Sequence, residues 1–164
     1  MNDTALTLIS AQTKVVETVS RFGMLVDARD WDSFRSLFTD SVEFDYSDIG
    51  DVSDTLSPDE IAKNASESFS GFEATQHIIS NHQVEVIDEV ATCNAYVRAM
   101  HILPNEQGEP WLEIGGRYDA ELICSESDWK IQSWKFSIMW SRGNQNLFSL
   151  AKDKQPNQPE TQTK

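Results

Sequence analysis

Hydrophobic positions along the chain change period midway. Over residues 5 to about 28 they recur at helical spacing. At about 100° per residue, Ile9, Val15, Val16, Val19, Phe22, Gly23 and Val26 share one arc, and Lys14, Glu17 and Arg21 lie opposite. "DWDSFRSLF" predicts a second, short helix with Asp30 as its N-cap. "SVEFDY" alternates Val42, Phe44 and Tyr46 against Glu43 and Asp45, the period of a half-buried strand. Residues 47–56, "SDIGDVSDTL", read as a polar loop. "SPDE" at 57–60 starts a helix, with Ser57 at the cap, Pro58 in the first turn and Glu60 closing a capping box; it ends near Phe69.

Strand-like runs then cover about 75–87, 91–103, 110–124 and 129–141, separated by the turn-like "IDEVA", "NEQGE" and "SESD". The short connections predict an antiparallel meander. "NQNLFSLAK" reads as a short helix or an extended piece, and "KDKQPNQPETQTK" is polar enough to be disordered. The expected organisation is one domain over 1–151 and a loose tail over 152–164. Helices segregated from an antiparallel sheet define an α+β class. A long curved sheet wrapped around a helix layer leaves a pocket between them, the default ligand site.

Composition narrows the partners. The 164 residues carry 13 basic and 27 acidic side chains, a formal charge of −14, which disfavours nucleic acid and anionic membrane surfaces. A 39% apolar content is modest, but five Trp and eight Phe suffice for a core. Cys93 and Cys124 have no zinc-like spacing and read as buried reduced thiols. The N-terminus lacks a basic, apolar leader pattern, and no run approaches a membrane span. A soluble cytoplasmic protein is the expectation.

Only three histidines occur, and two fall in "ATQHIISNH". Alternation in an unbroken strand puts His77 with Ile79, Asn81 and Gln83, and His82 with Ile78, Val84 and Val86. The two then face opposite ways, which argues against a shared metal site, since a metal needs three or four converging donors. His101 shares a face with Cys93, Ala95, Ala99 and Leu103, as a satisfied core group or a pocket donor. Asp27 returns to the angular position of Ile9 and within roughly 20° of Val16, at the edge of the core-facing arc. It is either solvated at a frayed helix end or a partly buried acid that needs a cationic or donor partner. His77 is the obvious partner type. Tyr46 ends the first strand with a phenol that requires a partner if buried. Phosphate loops and nucleophile elbows are absent from the sequence.

The runs "VDARDWDSFRSLFTDSVEFDY", "TQHIISNH", "AMHILP" and "GGRYDAEL" with "DWKIQSWKFSIMWSRGN" resemble the SnoaL-like branch of the nuclear transport factor 2 superfamily, in the pattern of the scytalone dehydratases. The resemblance covers about residues 5–150. It implies a strongly bent antiparallel sheet and helices enclosing a deep apolar cavity, in a homodimer or homotrimer. It also implies that Asp27 orients His77, that His77 moves the proton, and that Tyr46 and His101 donate hydrogen bonds to the substrate. One departure stands out: where the dehydratases carry a second pocket tyrosine, this chain has Val26. Phe44, Phe72, Trp140 and Phe148 are expected against the substrate. On the third long strand, the register leaves either Tyr118 or Asp119 and Glu121 facing the cavity.

The expected activity is a lyase or isomerase that uses no cofactor and no metal, dehydratase-type first, on a small hydrophobic metabolite. The alternative is a non-catalytic binding or oligomerisation module on the same fold. A metal-dependent lyase is the least favoured class.

Overall fold

The computed structural model describes residues 3–50, 53–126 and 128–154. Helix α1 (Asp3–Ala28) buries Val15, Val19, Phe22 and Val26, the helical stripe expected from spacing. Burying each such side chain contributes roughly 1.5–3 kcal/mol. Ile9 departs from expectation: it is exposed, with Leu6 and Leu8. The phase of the arc is right, but the first turns run past the body of the core. Helix α2 (Trp31–Arg35) is capped as predicted, Asp30 accepting from the Ser33 amide at 3.0 Å.

Strand β1 (Phe38–Asp45) is followed by a 3-10 turn (Ser47–Ile49) and by β2 (Ser53–Leu56), inside the stretch expected to be loop. β2 is an edge strand that pairs only with β1, and its first three residues are exposed. Backbone hydrogen bonds hold it, so it has no apolar alternation to read. Helix α3 (Pro58–Phe69) has the predicted capping box: Ser57 N–H donates to Glu60 at 2.8 Å, and Glu60 N–H donates to Ser57 Oγ at 3.3 Å.

The four long strands are β3 (Ala74–Ile87), β4 (Val90–Ile102), β5 (Trp111–Ser125) and β6 (Asp128–Gly143). The sheet order is β2-β1-β6-β5-β4-β3, antiparallel except for the parallel β1–β6 pair. Helix α4 (Leu147–Asp153) closes the described chain. The expected tail therefore begins as the end of this helix, and from residue 155 it lies outside the described residues. The result is an α+β fold with N-terminal helices against a curved, unclosed six-stranded sheet. In the core, Phe22 of α1 stacks on Trp134 of β6, ring centroids 4.1 Å apart. Among the described residues, no helix is long and apolar enough to cross a membrane.

Of the register shifts in the sheet, two decide where residues singled out from the sequence face. In β3, Ser80 pairs with Tyr96 but Gln83 with Asn94, so Asn81 and His82 together oppose Ala95, and Asn81 takes a φ of 56°. This is a β-bulge. It reverses the alternation, so that His82 shares the concave face with His77 while Asn81 and Gln83 are exposed. The opposite-face expectation fails for this reason. The second slip lies between β5 and β6, where Gly115 pairs with Trp140 and Gly116 with Ile138.

Candidate active site

A cavity of about 420 Å³ lies between the concave face and the helices. Its walls are mostly carbon: Phe22, Val26 and Phe34 from the first two helices, Phe44 from β1, Ile61 and Phe69 from α3, Ile114, Phe136 and Ile138 from the sheet, and Phe148 from α4. His77, His101, Tyr118 and Ser141 on the long strands, and Tyr46 just past the end of β1, are polar side chains that line it. Among the lining residues, Lys152 is the one with a full formal charge.

Asp27 resolves to the second of its two sequence readings. Its side chain is 20% exposed and that of His77 5%, and Oδ1 lies 2.7 Å from His77 Nδ1. The other oxygen, Oδ2, accepts from the His77 backbone N–H at 2.7 Å. Thr75 Oγ1 donates to Oδ1 at 2.8 Å, and Arg29 Nη1 donates to Thr75 Oγ1 at 2.8 Å. Burial raises the Asp27 pKa, but the hydrogen bonds and charge of His77, with the Thr75 hydroxyl, outweigh it and leave the carboxyl below its usual value. An ionised carboxylate can only accept, so Nδ1 of His77 carries a proton, and in the neutral ring Nε2 is then the atom with the lone pair. Asp27 does not line the cavity; it stands behind the ring.

The close approach of α1 to β3 rests on Gly23. A Cβ there would sit 2.9 Å from His77 Cβ and 3.2 Å from Ile79 Cδ1. Arg29 holds the helix end with a φ of 58°, its guanidinium bonding the Val26 carbonyl at 2.6 Å and the Phe69 carbonyl at 3.2 Å. Sequence reasoning passed over Arg29 and Thr75. The signal for Thr75 was present, since it lies on the same strand face as His77, two residues earlier.

His101 is 2% exposed, with its ring 5.7 Å from that of His77. Nδ1 is 3.2 Å from the Leu112 carbonyl, which can only accept, so Nδ1–H is the donor and Nε2 the lone pair. Burial, and then the charge of His77, pushes its pKa down to about 3. It is a neutral acceptor toward the cavity rather than a donor. Tyr46 accepts a hydrogen bond from Trp134 Nε1 at 3.2 Å and stacks on Phe44 and Phe136. The register question on β5 is settled: Tyr118 faces inward, 3% exposed and hydrogen-bonded to Tyr46.

Several expected substrate contacts are elsewhere. Asp119 is on the convex face, bonded to Arg117 and Asn94, and Glu121 pairs with Gln132 there. The one-residue parity of a strand that points Tyr118 in must point both of these out. Trp140 is also outside, its ring lying over Gly115, because the β5–β6 slip turns it away and leaves Ile138 and Ser141 on the cavity wall. Phe72 is buried one layer behind, its ring 5.2 Å from His101 and 4.9 Å from Phe148. Phe44 and Phe148 line the cavity as expected.

His82 bonds Ser20 Oγ across to α1 at 3.3 Å, and burial lowers its pKa. Among the described residues, no group of three or more histidine, cysteine or acidic side chains is placed to hold a metal ion. Both cysteines are free; burial pushes the Cys93 thiol up to about 11.

An open curved sheet closed by helices over an apolar cavity is the cystatin-like architecture of the nuclear transport factor 2-like proteins. Residues 7–135 match the SnoaL-like domain, and the chain belongs to that family. A solved structure of the Kfla4162 protein from Kribbella flavida is 26% identical, with a TM-score of 0.77 over 85% of this chain and 95% of that one. A protein of Novosphingobium aromaticivorans provisionally called a scytalone dehydratase is 19% identical, with a TM-score of 0.74 over 88% and 92% of the two chains. The hexachlorocyclohexane dehydrochlorinase LinA-type3 from Novosphingobium barchaimii is 16% identical, with a TM-score of 0.71 over 86% and 94%. At these identities the last two share this chain's fold, and by its name the dehydrochlorinase is an enzyme built on that fold. No curated protein matches the sequence.

Proposed function

We propose that this protein is a cofactor-independent lyase or isomerase, dehydratase-type first, acting on a small hydrophobic substrate with an acidic C–H beside a carbonyl. The observation that carries the reading is the 2.7 Å contact between His77 Nδ1 and Asp27 Oδ1, with the carboxylate on the far side of the ring from the cavity. That geometry leaves one imidazole lone pair facing the substrate and a fixed negative charge behind it to meet the imidazolium.

In a dehydration, His77 Nε2 removes the proton next to the carbonyl. Charge develops on the carbonyl oxygen, where the Tyr46 hydroxyl donates a hydrogen bond. His101, a neutral acceptor at Nε2, orients the substrate hydroxyl by accepting its hydrogen bond; its one N–H is committed to the Leu112 carbonyl. The proton returns from His77 to the departing hydroxyl, a C–O bond breaks, and water leaves. The cycle balances: His77 ends as it began and no electrons are transferred. A positioned base contributes about 10²–10⁴-fold. Isomerisation shares the first step and returns the proton to carbon.

The test is a panel of β-hydroxy ketones on apolar rings, incubated with the wild type and His77→Ala and followed by the absorbance of the conjugated product. Turnover by the wild type and its loss in a variant that still binds support the reading. Binding without turnover by the wild type points to a binding module instead, and full activity in His77→Ala rules out the dyad.

A further inference from the structure

Lys152 of α4 lines the cavity, and the proton-transfer scheme gives it no role. We propose that Lys152 is a specificity-determining residue: it selects ligands whose hydrophobic body ends in an anion, so that the substrate class is a small aromatic or alicyclic carboxylic acid. The proposal rests on the proton-transfer reading for its chemistry and narrows the substrate of that same site.

Helix α4 presents two residues to the cavity, Phe148 and Lys152. Four apart, they lie one above the other on the same helix face. Phe148 is the inner one, its ring 4.9 Å from that of His101 and 6.2 Å from that of Phe69. Lys152 stands one turn further along, about 6 Å away, and is exposed. The last turn of α4 is seated, because Ala151 is buried against the backbone of Gly71, too close to leave room for a Cβ there. A lysine lays its aliphatic stem along apolar surface and keeps its ammonium in water. The charge therefore belongs to the mouth of the cavity and not to its dry interior.

Among the described residues, the Lys152 ammonium has no ion-pair or hydrogen-bond partner, whereas Lys63, Lys135 and Lys154 are engaged with Glu67, Asp45 and the Pro104 carbonyl. Asn64 and Ser68 of α3, with Ser141 and Gln145, are neutral, and among the described residues no acidic side chain lines the cavity. Asp153, the next residue, is turned about 100° round the helix and is not on the cavity wall. In a chain of formal charge −14 the long-range field repels anions. Salt screens that field beyond about 8 Å, but not a contact at the mouth. A bound carboxylate thus depends on one side chain. With the acidic C–H at His77 and the carboxylate at Lys152, the body of the ligand lies against Phe69 and Phe148, which join the two ends: the Phe69 ring is 5.6 Å from His77.

Two probes of the same outline test this on the full-length protein by titration calorimetry at neutral pH: 2-naphthoate, an anion, and 2-naphthamide, which is neutral. The wild type is expected to bind the naphthoate at least about fivefold more tightly in low salt, the size of one ion contact in water. That gap should close in roughly 0.5 M sodium chloride. Lys152→Gln should abolish the preference with naphthamide affinity unchanged, Lys152→Glu should reverse it, and Lys152→Arg should keep it. Lys154→Gln removes the same charge two residues on, from a side chain outside the cavity, and should keep the preference too. Equal binding or no binding of the two probes by the wild type, a preference that survives in Lys152→Gln, or one lost equally in Lys154→Gln overturns the proposal. None of these outcomes bears on turnover of the β-hydroxy ketones, which tests the proton-transfer reading. Absence of that turnover with the naphthoate preference intact sinks that reading and leaves Lys152 as the recognition residue of a binding module.

Discussion

The Asp27 carboxylate grips His77 twice, at the ring Nδ1 and at the backbone N–H, both at 2.7 Å. The helix thereby fixes the imidazole and the strand that carries it in one contact. Asp27→Asn keeps the shape but offers an amide that can donate, which allows the ring to present Nε2–H to the cavity. Turnover on any identified substrate is expected to fall on the order of 10²-fold or more, with an unchanged circular-dichroism spectrum. His77→Ala is expected to abolish it.

Thr75 links that pair to Arg29 through bonds of 2.8 Å on either side. Thr75→Val leaves the guanidinium and the carboxylate each short of a partner in a half-buried site. A loss of about 1–3 kcal/mol in urea denaturation is expected, together with a smaller fall in turnover than His77→Ala produces.

His101 gives stability a pH dependence. Its folded pKa is lowered to about 3 by burial, against roughly 6.5 when unfolded. The unfolded chain binds the proton first, so the contribution is complete above about 6.5 and declines as pH falls toward about 3. Asp27, also lowered, adds a loss of the same sign at more acidic pH. Unfolding at pH 5 should therefore be easier than at pH 7 by roughly 2 kcal/mol from His101. His101→Phe, stacked on Phe69, should flatten that slope in paired denaturation curves.

Gly23 is where α1 meets β3. A methyl group there is 2.9 Å from His77 Cβ, an atom with no rotamer to escape by. Gly23→Ala is expected to cost about 1–3 kcal/mol as overpacking, and to lower turnover by moving Asp27 off His77. A thermal melt alongside kinetics checks both.

The cavity assignments differ in what they predict for binding. Phe44 and Phe148 line the wall, whereas Asp119 and Trp140 lie on the convex face. Phe44→Ala and Phe148→Ala should weaken nitrobenzene binding measured by tryptophan fluorescence, by roughly 1–2 kcal/mol each. Asp119→Asn and Trp140→Ala should leave it unchanged.

The sequence by itself determined the parts that depend on local period and local chemistry. Helical spacing set the buried stripe of α1 and placed Asp27 at its edge. Ser57, Pro58 and Glu60 marked the start of α3, and strand alternation put His101 inside. Alternation has no memory of a partner strand, however. The bulge at Asn81–His82 and the slip at Gly115 are single extra residues in the pairing, chosen by how neighbouring strands register, and each flips the side chains that follow it. That is why His82 turned inward and Trp140 outward against the local pattern. The bond from Trp134 to Tyr46 joins β6 to the turn after β1, and the clasp of Arg29 and Thr75 on Asp27 joins a helix end to a strand. Such meetings of residues distant in the chain are made by packing, and only the tertiary structure could decide them.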